Sequence, residues 1–208
     1  MAAARVLAIS GSARSDSFNK KLLALAAAAA CDAGASVTLL DLREFALPLY
    51  DGDGELANEF PANAARLREL LVAHDGLLIA CPEYNGSISP LLKNTIDWMT
   101  RAPGGKADPS LFHGKLAALC AASPGPWGGM RGLRWVRELL NNLGVTVLAN
   151  QATIGTAHKA FDASGALTDT RQGDALRALA RELAALLAAP GSAAALAGAA
   201  RGLHSPTP

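Results

Sequence analysis

Residues 5–21, RVLAISGSARSDSFNKK, decide the fold of this chain and the position of its site. The apolar run at residues 6–9 is too short for a helix and suits a buried strand. The run ends in a Ser-Gly-Ser turn, where Gly11 permits backbone angles that other residues resist. A long helical pattern begins near Lys20. This stretch therefore predicts a strand, a hydroxyl-rich turn and a helix start, in that order.

The turn before this helix has the composition of an anion site. Free backbone N–H groups project from a helix start, and the helix dipole favours negative charge there. The dipole contributes about 0.3–1 kcal/mol, whereas each hydrogen bond to a charged oxygen contributes roughly 1.5–3 kcal/mol. Most of the affinity is therefore expected from the polar side chains that precede the helix, Arg14, Ser15, Ser17 and Asn19. The alternative is that Ser17 and Asn19 only cap the helix.

The turn matches neither of the two common nucleotide-binding loops. A Walker loop needs a Gly-Lys-Ser/Thr triplet, which the turn lacks. A dinucleotide fingerprint needs three glycines at fixed offsets, and only Gly11 is present. A loop rich in serine and asparagine with one arginine suits a terminal phosphate monoester instead.

Length, composition and charge narrow the class of protein. The 208 residues are enough for one large domain, predicted at residues 1–190. An Ala/Gly/Pro-rich tail at residues 191–208 is expected to be poorly ordered. The net charge of +1 gives no electrostatic case for nucleic acid or an anionic membrane as a partner. It is also unlike the strong acidity of small electron carriers that dock on basic proteins.

Cysteine and histidine usage points to a cytoplasmic protein without a metal. The N-terminal apolar run is too short for a signal peptide, and no run of about 18 apolar residues could span a membrane. Cys31, Cys81 and Cys120 are odd in number and widely spaced, which favours a reducing cytoplasm over a disulfide framework. Cys81 and Cys120 are expected to be buried packing residues. The four histidines lack metal-binding spacing, so no metal site is expected.

Five short apolar strands alternate with helices along the chain. The strands are predicted at residues 6–9, 36–40, 77–81, 115–122 and 145–148, and the helices at 20–33, 62–74, 90–100, 129–143 and 170–189. Residues 41–61 are predicted to form a long loop, and residues 151–169 to be irregular. The alternation predicts an α/β fold with a doubly wound parallel sheet and helices on both faces.

Unusual residues follow the first, third and fourth strands, in SGSARSDSFN, PEYNGSIS and SPGPWGG. A doubly wound sheet binds its ligand beyond the carboxyl ends of the strands, where the strand order reverses. In the second loop, Tyr84, Asn85 and Gly86 suit the edge of a flat heterocycle, and a generic turn is the alternative. The third loop, residues 123–129, either lines the other edge of that ring with backbone amides or is only a rigid proline turn.

Three runs of sequence carry a resemblance to a known family: GSARSDSFNKKLL, PEYNGSISPLLKNTIDW and GGMRGLRWVRELLNNLG. In this order and spacing they resemble the NADPH-dependent FMN reductase family, the flavodoxin-like group that includes bacterial quinone, chromate and azo-dye reductases. The similarity extends over residues 6–148. The family motif G-S-x-R-x-x-S-x-N is matched at every defined position, Gly11, Ser12, Arg14, Ser17 and Asn19. The second run departs at Ser89-Pro90, where many members have Pro-Gly.

The resemblance implies a flavodoxin-like, five-stranded parallel sheet of order 2-1-3-4-5 and a noncovalently bound FMN. The phosphate would be held by Ser12, Arg14, Ser17 and Asn19, with Ser10 and Phe18 in the same cofactor-binding set. The isoalloxazine would be bordered by Pro82, Glu83, Tyr84, Asn85 and Gly86, and on its far side by Ser123 and Gly125.

The resemblance also implies an NAD(P)H oxidoreductase that works by ping-pong hydride transfer through the flavin. NADPH or NADH would be the co-substrate, and quinones, chromate, azo compounds or free flavin the acceptors. No side-chain acid or base is expected, since the Glu83 carboxylate would be held by backbone or lysine contacts. Lys93, Asn94 and Asp97 would cap and bridge neighbouring elements.

The resemblance further implies a homodimer or homotetramer, with Trp98, Trp127 and Trp135 facing the partner subunit. Two alternatives to the quinone-type reductase stay open. One is a flavodoxin-type carrier that only relays electrons between proteins, and the other is a reductase that releases reduced FMN to a monooxygenase.

Overall fold

A computed structural model describes residues 3–57 and 59–189. The strands are β1 Arg5–Ser10, β2 Ser36–Leu40, β3 Gly76–Ala80, β4 Glu83–Tyr84, β5 Ser87–Ile88, β6 Arg101–Ala102, β7 Lys106–Ala107, β8 Leu116–Ala122 and β9 Thr146–Ile154. The helices are α1 Phe18–Asp32, α2 Gly52–Ala57, α3 Ala62–Ala73, α4 Pro90–Met99, α5 Met130–Asn142 and α6 Thr170–Ala188. The predicted tail at residues 191–208 lies outside the described residues.

The central sheet has five parallel strands in the order β2-β1-β3-β8-β9. This confirms the predicted doubly wound sheet and its 2-1-3-4-5 order, because the order reverses between β1 and β3. In the register of the sheet, Ser10 pairs with Ala80, and Ala80 pairs with Cys120. The carboxyl ends of β1 and β3 are therefore level, β8 extends two residues further, and the loops that follow all three strands leave the same edge of the sheet.

The core consists of two apolar layers, one on each face of the sheet. Alternate residues of β1 point to opposite faces, so that Val6 and Ala8 pack with α1 and α6, whereas Leu7 and Ile9 pack with α3, α4 and α5. Each fully buried aliphatic side chain contributes roughly 1.5–3 kcal/mol relative to an exposed one. In the described part of the chain, no helix is both long and apolar enough to cross a membrane.

The segment predicted as a loop at residues 41–61 contains a helix, so this prediction was wrong in part. Residues Leu42–Glu44 form a 3-10 turn and α2 follows at Gly52–Ala57. Asp51 begins α2 by accepting a hydrogen bond from the Asp53 backbone N–H at 3.2 Å. Glycine disfavours helix, but α2 is held from outside by an ion pair between Glu55 and Arg101.

The last strand is longer than predicted, because β9 continues through residues 151–154, which the sequence indicated as irregular. A register shift interrupts its pairing with β8 between Ala117 and Leu119, where extra residues of β9 bulge out. The bulge places Asn150 and Gln151 in a strand that lies at the sheet edge and is half exposed. The strand was predicted from an apolar run, and because these polar residues interrupt that run, the predicted strand ended at residue 148.

Candidate functional site

Three loops meet at the carboxyl edge of the sheet: loop A (residues 11–17), loop B (81–89) and loop C (123–129). Loop A is joined to the end of β3 by the Gly11 N–H, which donates to the Ala80 carbonyl at 2.9 Å, and to loop B by Ser89 Oγ, which donates to the Gly11 carbonyl at 2.7 Å. A Cβ on Gly11 would lie 2.8 Å from Ser89 Oγ and 3.0 Å from Leu92 Cβ. Gly11 is thus needed for close packing, and not for the unusual backbone angles that the sequence suggested.

Asn19 joins loop A to loop C. Its Nδ2 donates to the Ala122 carbonyl at 2.8 Å, and its Oδ1 accepts from the Ala122 N–H at 3.0 Å. Both polar atoms of the buried amide are therefore committed to the last residue of β8. In the structure this side chain, which was predicted to hold phosphate, fixes the start of α1 beside the end of β8.

The start of α1 carries a set of donors suited to an anion. Ser17 is its N-cap, with Oγ accepting from the Lys20 N–H at 3.4 Å, so the capping role left open by the sequence is present. The N–H groups of Phe18 and Asn19 lie in the first turn, where no intrahelical acceptor exists. Ser12 Oγ accepts from the Arg14 N–H at 3.3 Å, which leaves its hydroxyl proton free to donate. The first turn contains no acidic residue.

Ser10 supplies a further donor beneath loop A. Its side chain is 2% exposed, and its Oγ has no hydrogen-bond partner among the described residues. It has the same orientation on β1 as Val6 and Ala8, which places it on the face covered by α1. Buried hydroxyls are rarely left unsatisfied. A phosphate oxygen above this strand end would provide the acceptor, so the residues present fit a phosphate monoester.

Charges around loop A are balanced by local ion pairs. Asp16 pairs with Lys21, and this hydrogen bond holds the pKa of Asp16 below its ordinary value. Lys20 pairs with Asp41, whose pKa is also well below its ordinary value, chiefly because Arg43 donates to it. Arg14 is exposed on the same loop. The carboxylates of Asp16 and Asp41 are thus each paired with a lysine of α1.

Loop B is a tight hairpin that presents Tyr84 to solvent. Strands β4 and β5 pair antiparallel around Asn85 and Gly86, whose φ angles are 52° and 78°. Positive φ at both central residues is a type I′ turn, for which Asn-Gly is the strongest sequence signal. These residues were predicted to border a ring, and the hairpin that the Asn-Gly dipeptide also indicates was not predicted. The hairpin fixes the backbone groups and leaves Tyr84 49% exposed.

Glu83 does not project freely from this hairpin. Its carboxylate accepts hydrogen bonds from Arg131 Nε at 2.8 Å, from Arg131 Nη2, and from the Gly132 N–H at 3.1 Å. The predicted backbone contact is confirmed, and the cation is an arginine of α5 instead of a lysine. Both oxygens of the Glu83 carboxylate are therefore engaged by α5.

Loop C is fastened to the end of β9. The Thr156 N–H donates to the Gly125 carbonyl at 3.1 Å, and the Ala157 N–H donates to the Ser123 carbonyl at 3.0 Å. Gly128 has a φ of 61°, and a Cβ there would lie 2.8 Å from the main chain of Ile154. Because the carbonyls of Ser123 and Gly125 face β9, the loop turns its exposed residues outward, with Trp127 62% exposed.

The comparison with protein families agrees with this geometry. Residues 4–159 match the model of the NADPH-dependent FMN reductase family. The chain belongs to this family. An NAD(P)H-dependent FMN reductase of Pseudomonas aeruginosa is 40% identical over 168 residues, which cover 80% of this chain and 86% of that protein. A 2-hydroxy-1,4-benzoquinone reductase of a Burkholderia species is 36% identical over 175 residues, covering 82% and 90%.

A solved structure shares both fold and sequence with this FMN reductase family member. FerB, a flavoenzyme NAD(P)H:(acceptor) oxidoreductase from Paracoccus denitrificans, superposes with a TM-score of 0.74 at 28% identity. The superposition covers 88% of this chain and 97% of FerB. The flavodoxin-like fold predicted from the sequence is therefore confirmed.

The structure also accounts for the Ser89-Pro90 departure from the family pattern. Ser89 is the N-cap of α4, accepting from the Leu92 N–H at 3.4 Å, while its hydroxyl donates to Gly11. Pro90 occupies the first turn of α4, where no N–H donor is needed. The substitution therefore begins the helix cleanly and adds a hydrogen bond between loops A and B.

The family run LKNTIDW forms hydrogen bonds with a neighbouring loop, at Pro48 and Tyr50. Asn94 Oδ1 accepts from the Tyr50 N–H at 2.8 Å, and its Nδ2 donates to the Pro48 carbonyl at 2.9 Å. Trp98 Nε1 donates to the same carbonyl at 2.8 Å, and the Trp98 ring is packed against Tyr50 and Phe60. The bridging role predicted for Asn94 is confirmed. Trp98 is 3% exposed and faces the interior, so its predicted exposure to a partner subunit was wrong.

The cysteines near the sheet edge are packing residues, as predicted. Cys81 and Cys120 are fully buried and belong to opposite layers of the core. Burial raises the pKa of Cys81 to about 11 and that of Cys120 to about 12, so both thiols stay protonated at neutral pH. Residues 3–57 and 59–189 contain no cluster of three His, Cys, Asp or Glu side chains that could hold a metal ion.

Proposed function

We propose that this member of the FMN reductase family is an FMN-dependent NAD(P)H oxidoreductase that reduces quinone-like acceptors. The single observation that carries the proposal is the convergence of loops A, B and C on one sheet edge, with an unsatisfied buried hydroxyl under a donor-rich helix start. The names of its relatives support the same reaction class, since they include an NAD(P)H-dependent FMN reductase and several quinone reductases.

Loop A and the start of α1 would hold the phosphate. The donors proposed are the hydroxyls of Ser10, Ser12 and Ser17, the Arg14 guanidinium, and the main-chain N–H groups of Phe18 and Asn19. Each group can donate, and the first turn of α1 offers no carboxylate to repel a dianion. Hydrogen bonds to a charged oxygen contribute roughly 1.5–3 kcal/mol each, so four or more would dominate the affinity.

Loops B and C would border the ring system. The residues proposed are Pro82, Glu83, Tyr84, Asn85 and Gly86 of loop B and Ser123 and Gly125 of loop C. The type I′ turn and the fastening of loop C to β9 fix the backbone amides of both loops before any ligand arrives. Preorganised groups bind a flat heterocycle without a further entropic cost of loop ordering.

The protein side of the mechanism is binding and orientation. The chemistry that FMN supplies when bound is two-electron exchange, in which hydride is taken from NAD(P)H and the electrons pass to an acceptor. Glu83 is committed to Arg131 and Gly132, and the Cys81 thiol donates to the Pro82 carbonyl at 3.3 Å. The chain therefore holds the ring without offering a competing acid, base or nucleophile from these residues.

Anaerobic mixing with NADPH tests the proposal. Protein reconstituted with FMN is expected to lose its yellow colour rapidly and to recover it when benzoquinone is added. Parallel assays with chromate, an azo dye and free FMN rank the acceptors. A flavodoxin-type carrier would bind FMN but stay yellow with NADPH alone, and that outcome would contradict the proposal.

Reduction of free flavin is a second candidate function. The relative from P. aeruginosa, at 40% identity, is named as an FMN reductase. If FMN leaves the protein on a sizing column while NADPH oxidation still depends on added FMN, the chain supplies reduced flavin to another enzyme. Retention of FMN through the column would favour the quinone-type reductase.

We also propose that the chain is a cytoplasmic homodimer or homotetramer. Several large apolar side chains are between 48% and 82% exposed, and a subunit contact would remove them from water: Leu49, Leu56, Val72, Trp127 and Trp135. The three free cysteines support a reducing compartment. Light scattering on a sizing column is expected to give twice or four times the chain mass of 21.3 kDa, and a monomer would contradict the proposal.

A further inference from the structure

Glu83 caps a helix that belongs to a different loop. Helix α5 starts at Met130 after Gly129, which provides no side-chain cap, and its first turn has no acidic residue. The Glu83 carboxylate, 8% exposed, supplies the missing acceptor through the Gly132 N–H and adds a negative charge at the positive end of the helix. Glu83 thereby fastens loop B to the helix that follows loop C.

Gly132 brings the same two elements into close contact. A Cβ on Gly132 would lie 3.1 Å from the Ser87 carbonyl oxygen and 3.2 Å from Glu83 Cβ. The first turn of α5 therefore rests against both strands of the hairpin, with room only for a hydrogen at this position. The carboxylate contact and the packing set the same distance between loop B and α5.

We propose that Glu83 is a positioning residue that sets the separation of loops B and C, and with it the fit of the ring between them. This inference rests on the proposed function, because it concerns the ring half of the same site. The phosphate half is fastened elsewhere, through Asn19 to Ala122 and through Ser89 to Gly11. A change at Glu83 therefore acts on the ring and spares the phosphate contacts.

Flavin titrations of matched variants test this assignment. FMN and riboflavin, which lacks the phosphate, are titrated separately into apo-protein of the parent, Glu83→Ala, Glu83→Gln and Gly132→Ala. Glu83→Ala is expected to weaken the binding of both ligands by the same factor, about tenfold or more, because the three hydrogen bonds that hold loop B against α5 are lost. The flavin affinities of Glu83→Gln are expected to lie between those of the parent and Glu83→Ala, because its amide oxygen still accepts one hydrogen bond. Glu138→Gln, an exposed change on α5, serves as the control and leaves both affinities unchanged.

Gly132→Ala separates positioning from stability. The added methyl group pushes the hairpin away, and the greater helix propensity of alanine offsets part of the cost of this close contact, so the midpoint of urea unfolding is expected to stay near that of the parent. Weaker binding of both flavins in this variant, with a lower maximal rate of reduction by NADPH, supports the assignment. A purely structural role would lower stability and binding together.

Two results would overturn the assignment, and only the second would also contradict the proposed function. Suppose that the parent binds FMN, and that Glu83→Ala and Gly132→Ala each bind FMN and riboflavin with the affinity of the parent. The positioning role is then wrong and the proposed function stands. If the parent binds neither flavin, both proposals are wrong. Should Glu83→Ala not fold, Gly132→Ala alone decides.

Discussion

The Ser17→Asp variant is expected to be isolated without flavin, because it places a carboxylate where the phosphate of FMN would be held. Ser17 is 4% exposed at the start of α1, so the new charge is poorly screened. Two unit charges 4 Å apart interact by about 4 kcal/mol at an effective dielectric constant of 20, which corresponds to roughly a thousandfold loss of affinity. Fluorescence titration of the apo-protein with FMN measures this loss.

Ser17→Asn is the matched control for this charge. Aspartate and asparagine are both good N-caps and have the same shape, so both variants are expected to keep α1 and the fold. Riboflavin provides a second check, since without a phosphate it is expected to bind the aspartate variant nearly as well as the parent. A Ser17→Asp protein that retains FMN as tightly as the parent would show that the phosphate is held elsewhere.

Arg101→Met is expected to cause the largest loss of stability among single changes at ion pairs. Glu55 is 2% exposed in its side chain and accepts from Arg101 Nε and Nη2 at 2.8–3.0 Å. Removing the cation leaves a buried carboxylate with the Tyr50 hydroxyl as its remaining side-chain donor among the described residues. The expected cost is about 3 kcal/mol, at the lower end for a broken buried pair because Arg101 itself is partly exposed. Urea unfolding measures it.

Arg177→Met controls for the substitution itself, because Arg177 pairs with Asp174 on the exposed face of α6. An exposed pair contributes about 0–1 kcal/mol, so this variant is expected to unfold close to the parent midpoint. Equal losses in the two variants would mean that the Glu55 contact does not anchor α2.

The same pair makes stability depend on pH. Hydrogen bonds from Arg101 lower the pKa of Glu55 below its ordinary value of 4.5. A lowered pKa in the folded state contributes stability above pH 4.5, and this contribution is lost as the pH falls through the folded pKa. In Arg101→Met the carboxyl is buried without a cation, so its protonation relieves the penalty. The difference in free energy of unfolding between the parent and Arg101→Met is therefore expected to become smaller as the pH falls from about 7 to about 4.

The sheet and its site edge could be predicted because their signals are local. Each central strand is a continuous apolar run bounded by turn-forming residues, as where Asp75 and Gly76 mark the start of β3. The three loops were located by a topological rule that needs only the chain order of the strands. The hairpin of loop B was equally local, and Asn85-Gly86 would have revealed it.

The contacts that hold the site together could not be predicted in the same way. Asn19 and Ala122 are 103 residues apart, and Glu83 and Arg131 are 48 apart. A sequence motif indicates that Asn19 and Glu83 are polar residues near a ligand. It does not distinguish a side chain that contacts the ligand from one that forms hydrogen bonds between two parts of the protein. Helix α2 was missed for a similar reason, because Arg101, on another segment, stabilises a sequence whose glycines disfavour helix.

The link between Asn19 and Ala122 has a consequence for when the cofactor is acquired. Because β8 must be inserted beside β3 before Ala122 reaches α1, a nascent chain that ends before residue 122 has no complete nucleotide pocket. We therefore expect FMN to bind after the sheet has formed. FMN present during refolding will raise the final stability by mass action yet leave the rate of refolding unchanged.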